Sequence, residues 1–216
     1  MAFMKLTSQS FKEGEFIPGE FAFAIPDAAN HVALSRNRNP HLAWSEVPAG
    51  TQSFVIVCHD PDVPSRGDDV NQEGRVVPAS LPRVDFFHWL LLDIPASTVE
   101  IAAGSQSDGV TPRGKAGPNA PSAYRHGIND YTGWFAADEQ MKGEYYGYDG
   151  PCPPWNDTLV HHYIFTVYAL ATPGLDVQGP WTGANVNAAL AEAPVLAQAS
   201  LTGLYSLNPN VASTAK

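Results

Sequence analysis

The sequence is poor in cysteine, in positive charge and in long apolar runs, and each shortage removes a class of protein. Two cysteines in 216 residues, Cys58 and Cys152, do not make the disulfide framework of a small secreted scaffold. Cys58 lies in an apolar run and reads as a buried thiol; Cys152 lies in a Gly/Pro loop and reads as a structural one. Lys and Arg number 12 against 22 Asp and Glu, a formal net charge of -10. Such a field repels nucleic-acid phosphates and anionic membrane surfaces, so no nucleic acid and no membrane insertion are expected. An anionic ligand must then be held by a local site, against the field of the whole chain. No stretch approaches the roughly 18 apolar residues of a membrane span. Met1 to Gly14 has no apolar signal core, so a cytoplasmic location is expected. Hydrolase motifs are missing too: there is no H-E-x-x-H, no clustered C-x-x-C, and Ser45, Ser65 and Ser80 lack a G-x-S-x-G setting. Neither a cofactor nor a resident metal is expected.

What the chain has in quantity is proline (19) and glycine (18), spread along its length. That punctuation breaks long helices and favours strands joined by turns. With no internal repeat and no low-complexity linker, one domain over 1–216 is expected, large enough to bury a core without staples. Three segments read as buried strands: Phe54 to Cys58, Phe86 to Leu92 and Tyr163 to Leu170. Weaker strand candidates are Phe21 to Ile25 and Leu42 to Trp44. Only the C-terminal part reads as helix. Val186, Ala189, Leu190 and Ala193 follow helical spacing, and Pro194 is expected to open a second short helix that stops at Gly203. Strands first and helices last argue for a mostly β fold rather than alternating β-α units. The stretch from Ala103 to Asn156 carries seven aromatics, from Tyr124 to Tyr148, too many for a solvated linker. It is expected to pack on the body of the domain or on a second subunit, and a homodimer through it is expected.

Three places carry candidate chemistry. In Asp60-Pro61-Asp62-Val63-Pro64 the prolines keep the chain extended, so both carboxylates can face one way, although the same residues also suit a plain turn. His88 sits among Phe86, Phe87, Trp89 and Leu90. It is either a neutral imidazole satisfied by a backbone carbonyl or a pocket histidine held by a carboxylate. The loop Gly150-Pro151-Cys152-Pro153-Pro154 makes a stiff wall and runs into His161-His162-Tyr163, where alternation puts His161 and Tyr163 on one face and His162 on the other.

Together these motifs resemble the phosphatidylethanolamine-binding proteins, most closely their bacterial Raf kinase inhibitor-like branch. Asn39 to Trp44 and Tyr168-Ala169-Leu170 fit that branch as well, and the resemblance runs over roughly residues 15 to 205. It implies two packed antiparallel sheets with short C-terminal helices, and an anion pocket at one end of a sheet. The matching positions are Asp60, Asp62, His88, His161 and Tyr163, with Pro64 and Pro153 or Pro154 as wall. The loop into His161 and the segment from Gly104 to Asp149 are longer than in eukaryotic members. In the expected site, Asp60 or Asp62 bonds one ring nitrogen of a histidine and favours its charged form; the other N–H and the Tyr163 hydroxyl meet the anion. The function expected is binding of a phosphate ester of the phosphoethanolamine type with a regulatory role, not catalysis. The alternatives are a protein-interaction module that inhibits a protease or kinase, and a metal-dependent phosphoester hydrolase using the same Asp and His side chains.

Overall fold

The three apolar runs lie side by side at the centre of one sheet. The computed structural model describes residues 3–212, so both ends of the expected 1–216 domain lie outside the described residues. In chain order the strands and first helix are β1 (Lys5–Thr7), β2 (Ala24–Asp27), β3 (His31–Leu34), β4 (Leu42–Ser45), β5 (Ser53–Pro64), β6 (Arg83–Pro95), β7 (Glu100–Ile101), β8 (Arg125–His126) and α1 (Tyr131–Trp134). They are followed by β9 (His161–Leu170), α2 (Gly183–Glu192), β10 (Val195–Tyr205) and α3 (Pro209–Ala212). The main sheet is five-stranded and antiparallel, in the order β10-β9-β5-β6-β8. A three-stranded sheet β1-β4-β7 and the hairpin β2-β3 accompany it.

The main sheet is covered on both faces, which explains why its strands read as continuous apolar runs rather than alternating ones. Phe54, Ile56, Cys58, Trp89, Leu91, Phe165 and Val167 point to one side and pack with Leu6, Leu42, Trp44 and Ile101 of the small sheet. Val55, Val57, Leu90 and Leu92 point to the other and meet Val186 and Leu190 of α2. Burying those two helix side chains contributes about 1.5–3 kcal/mol each. Thr182 caps the helix by accepting the Asn185 N–H at 3.4 Å.

The second expected helix is absent. From Val195 to Tyr205 the chain is a strand, paired with β9 from Val195↔Leu170 to Tyr205↔His161. Its second half buries Leu201, Gly203 and Tyr205 and leaves the residues between them more open, a period of two that decides against helix. Gly203 is therefore no helix stop. It is a close approach, because a Cβ there would land on Ile17 Cγ1 and crowd Phe11. Gly203→Ala should cost about 1–3 kcal/mol as overpacking, read as a lower urea midpoint with an unchanged slope. The weak candidate at Phe21 to Ile25 also shifts: Gly19–Phe21 is a short 3-10 turn and the strand begins at Ala24.

The aromatic segment folds onto its own domain. Tyr124, Tyr131, Tyr145 and Tyr148 are buried, whereas Trp134 is 51% exposed. Phe23, Tyr131 and Phe135 stack on one another at 4.6 and 5.6 Å between successive ring centroids. They close the end of the main sheet where β5, β6 and β9 carry their polar residues.

Candidate functional site

Two bulges between β5 and β6 bring the polar residues to one place. Cys58 pairs with Trp89 and His59 with Phe87, which leaves His88 as the extra residue on β6. Regular alternation would send His88 to the face of Leu90 and α2. The bulge re-aims it to the opposite face, where its ring meets Phe86, Tyr163 and Tyr131 at 4.9, 5.1 and 5.6 Å. In the second bulge, between Asp60 and Val63, the extra residue is on β5. There Asp60 Oδ1 accepts the Asp62 N–H at 2.8 Å. The extended and the turn readings of Asp60-Pro61-Asp62 thus both describe part of it: the segment stays in a strand, and Asp60 makes an Asx-type contact inside that strand.

Behind the pocket lies a chain of four charges. His161 Nδ1–H donates to Asp60 Oδ2 at 2.7 Å and its Nε2–H to Asp157 Oδ2 at 3.0 Å. Arg83 in turn reaches both oxygens of Asp157. His161, Asp60 and Asp157 are almost wholly buried. Burial alone would lower the His161 pKa, but hydrogen bonds to Asp157 and Asp60 push it up to about 9. Burial alone would raise the Asp157 carboxyl, but hydrogen bonds from His161 and Arg83 hold it below its ordinary value. His161 is therefore an imidazolium, with both N–H groups spent on carboxylates. His161 is thus not the charged histidine that could turn its second N–H to a ligand, because Asp157 takes that N–H.

His88 and Tyr163 differ from His161 in having hydrogen-bonding capacity left over. His88 Nδ1–H donates to the Asp149 carbonyl at 2.7 Å, and burial, against the pull of Asp60, holds its pKa below the ordinary value. This is the neutral imidazole on a backbone carbonyl, yet it also lines the pocket, with Nε2 left as an acceptor. Asp149 is fixed in turn by Asn37 at 2.8 Å, Lys115 at 2.7 Å and Asn129 at 2.8 Å. The Tyr163 hydroxyl is buried and makes no hydrogen bond of good geometry; its contact with the Asp60 carboxylate is marginal. Burial first, and the nearby Asp60 charge second, keep it protonated far above neutral pH.

These groups line a cavity of about 100 Å³ with Pro64, Pro153 and Pro154 in its wall, and Phe86, Tyr131 and Trp134 on its aromatic side. Asp62 is not among the lining residues. Its Oδ2 accepts from His162 N and Nδ1, both at 2.8 Å, on the outer edge of the sheet. As alternation requires, His161 and Tyr163 are buried while His162 is exposed.

A family model described as phosphatidylethanolamine-binding protein matches residues 7–206. The chain belongs to the phosphatidylethanolamine-binding protein family. It is 31% identical to YbhB of Escherichia coli (strain K12) over 204 residues, covering 94% of this chain and all of that one. A UPF0098 protein of Aquifex aeolicus is 30% identical over 206 residues, covering 94% of this chain and 89% of its own. Among solved structures, Escherichia coli YbcL, described as a new member of the mammalian PEBP family, superposes with a TM-score of 0.64 at 28% identity. That match covers 95% of this chain and 99% of YbcL. These matches place the chain in the bacterial YbhB/YbcL branch, the Raf kinase inhibitor-like branch of the family.

Several residues around this cavity escape a reading by motif. Asp157 is four residues before His161, but only the fold shows that it takes the second ring nitrogen. Arg83 reaches Asp157 from 74 residues away in sequence. Asn156 donates to the carbonyls of Asp69 and Arg75 and accepts the Asn71 N–H. It thereby straps down the loop whose Arg66, Val70 and Asn71 line the cavity mouth. A lone Asn beside a proline run carries no signal of that task.

Proposed function

We propose that the protein binds a small phosphorylated ligand in this cavity and acts by binding rather than by turnover. The reading rests on one observation: the buried Tyr163 hydroxyl, held by no more than a marginal contact with the Asp60 carboxylate, at the wall of a small, proline-stiffened cavity. Buried polar groups in native structures are paired, and an exception calls for an explanation. A ligand oxygen in the cavity would supply the well-placed acceptor that Asp60 does not. At about 100 Å³ the cavity is well below the roughly 300–1,000 Å³ of sites for drug-sized molecules, which suits a head group of a few atoms. Both nitrogens of His161 and one of His88 are already engaged within the protein. Only His88 Nε2 is left as an imidazole ligand for a metal, which favours binding over metal-assisted hydrolysis. A homodimer through the aromatic segment would rest on Trp134, since four of the seven aromatics are spent inside the chain.

Calorimetry with phosphoethanolamine at pH 6, on the wild type and on Tyr163→Phe, tests the reading. A hydrogen bond to a charged group is worth about 1.5–3 kcal/mol, so the variant should bind at least roughly tenfold more weakly while melting close to the wild type. Equal affinity in the two proteins, or no binding to the wild type, rejects it.

A further inference from the structure

A second pocket opens just past β8 and shares no lining residue with the anion cavity. Its volume is about 250 Å³, and Pro118, Ile128, Glu144, Tyr146, Pro180 and Trp181 line it. Pro118, Glu144 and Pro180 are exposed and the other three are half-buried, so it is an open groove on the surface. Four separate stretches of chain build it, and their packing holds them in place. The Ile128 N–H donates to the Trp181 carbonyl at 2.8 Å, and Ile128 bridges Tyr146 and Thr182. The Tyr146 ring packs on Gly117, where a Cβ would come within 2.2 Å of the ring. Arg125 lies over the Trp181 ring at 5.3 Å and is itself paired with Asp93. The groove is formed before any ligand arrives, which lowers the cost of binding.

Its polar groups are unspent. Among the described residues the Trp181 indole N–H has no hydrogen-bond partner, and it is not sealed from solvent. The Tyr146 hydroxyl makes one contact, to Glu144 Oε2 at 3.5 Å, too long for a good hydrogen bond. Glu144 pairs with no cation among the described residues; Lys115, Arg125 and Lys142 go to Asp149, Asp93 and Glu139 instead. Two aromatic rings with free donors, an apolar floor and an unpaired carboxylate at the rim suit one kind of backbone. A polyproline II segment has no internal hydrogen bonds, so its carbonyls are free to accept, and its proline rings pack on aromatic faces. A helix has already spent its carbonyls on itself. Addition of a β-strand is closed off, because Asn119 already bridges Arg125 of β8, and Tyr146 bridges Ile128. The volume is also below the roughly 300–1,000 Å³ of sites that enclose a drug-sized molecule. Glu144 and the net charge of -10 favour a positively charged partner.

We propose that this groove docks a polyproline II segment of a partner protein that carries Lys or Arg beside its prolines. A proline ring packs between Trp181 and Tyr146, the indole N–H and the phenol O–H donate to peptide carbonyls, and Glu144 receives the basic side chain.

The test is calorimetry of the intact protein with three synthetic peptides. One has eight prolines followed by two lysines, one has eight prolines followed by two glutamates, and one has an alternating glycine-serine stretch of the same length followed by two lysines. The wild type is compared with Glu144→Lys, a change on the exposed rim that leaves the fold intact, and with Trp181→Phe, which keeps a ring and removes the N–H. The wild type should favour the proline-lysine peptide over the proline-glutamate one by roughly two- to fivefold, the worth of one exposed ion pair. It should bind the glycine-serine peptide far more weakly. Glu144→Lys should reverse the charge preference, and Trp181→Phe should bind the proline-lysine peptide about two- to twelvefold more weakly, the worth of one hydrogen bond. In nitrogen-proton spectra of the indoles, the signal missing from Trp181→Phe should be the one that moves as the peptide is added to the wild type. No binding of the proline-lysine peptide, equal binding of the glycine-serine one, an unchanged charge preference in Glu144→Lys, or movement confined to other indole signals each overturns the proposal.

Discussion

His161→Ala is expected to destabilise the fold by about 3–5 kcal/mol, the usual cost of removing one partner from a buried ion pair. The melting temperature should drop by roughly 6–20 °C for a chain of this size. The imidazolium lies between Asp60 and Asp157, each almost fully buried. Without it, two carboxylates face an apolar gap with Arg83 as the remaining cation of the cluster, and of the two carboxylates Arg83 pairs with Asp157 and not with Asp60. The loss is electrostatic more than volumetric, so a second change separates the causes. In His161→Ala/Asp157→Asn one of the stranded charges is gone, and a good part of the lost stability should return. If the lost packing volume were the main cause, the double variant would melt no higher than the single one. Urea unfolding of the three proteins at pH 6 decides. A single variant that melts within about 2 °C of the wild type, well under the loss expected for a broken buried pair, would show that His161 is not a buried cation. The same experiment bears on function, because His161→Ala reports on folding before it reports on ligand binding. Tyr163→Phe removes one hydroxyl at the cavity wall and leaves the charge cluster intact.

The main strands were legible because both faces of their sheet are buried, which writes long apolar runs into the sequence. The edge strand β10 was not, because its first half, Val195 to Ser200, is mostly open and its inward residues Ala197 and Ala199 are too small to write a clear period of two. Pro194, a residue suited to the first position of a helix, imitated a helix start there. In the site, the motifs located Asp60, His88, His161 and Tyr163, but they grouped Asp62 with the cavity, which it does not line, and did not name Asp157 as the partner of the second His161 nitrogen. Two one-residue bulges, one on β6 and one on β5, decide the direction of His88 and the contacts of Asp62, and period-two reasoning is blind to a bulge. Asp157, Asp149 and Arg83 were out of reach for another reason. A buried carboxylate shows its importance through its partners, and Lys115 and Asn37 lie 34 and 112 residues from Asp149.

Stability against pH should form a dome with its top near pH 6.5, and two histidines of opposite sign should set its flanks. On the alkaline side, His161 has a folded pKa of about 9, above its ordinary 6.5. Between those values the folded state holds a proton that the unfolded chain has released. The contribution is therefore complete below pH 6.5 and is lost as pH rises through 9. At about 1.4 kcal/mol for each pH unit between the two values, it amounts to roughly 3 kcal/mol. On the acid side, His126 is buried, its Nδ1 has no hydrogen-bond partner, and its pKa is lowered to about 4, first by burial and then by Lys115. Here the unfolded chain takes the proton first, so stability falls between pH 6.5 and 4 by a similar roughly 3 kcal/mol. His88, lowered in the same sense, adds to that flank. Asp157, held below its ordinary value, extends the loss further into acid. Urea unfolding at half-unit intervals from pH 4.5 to 9.5 would trace the curve. His126→Gln should flatten the acid flank without touching the alkaline one; His161→Ala/Asp157→Asn should flatten the alkaline flank and, on the acid side, remove only the further loss that Asp157 adds. A wild type of constant stability from pH 6.5 to 9.5 would mean that His161 carries no proton beyond its ordinary range. The charge cluster behind the pocket would then hold a bare negative charge, and an anion would have no place beside it.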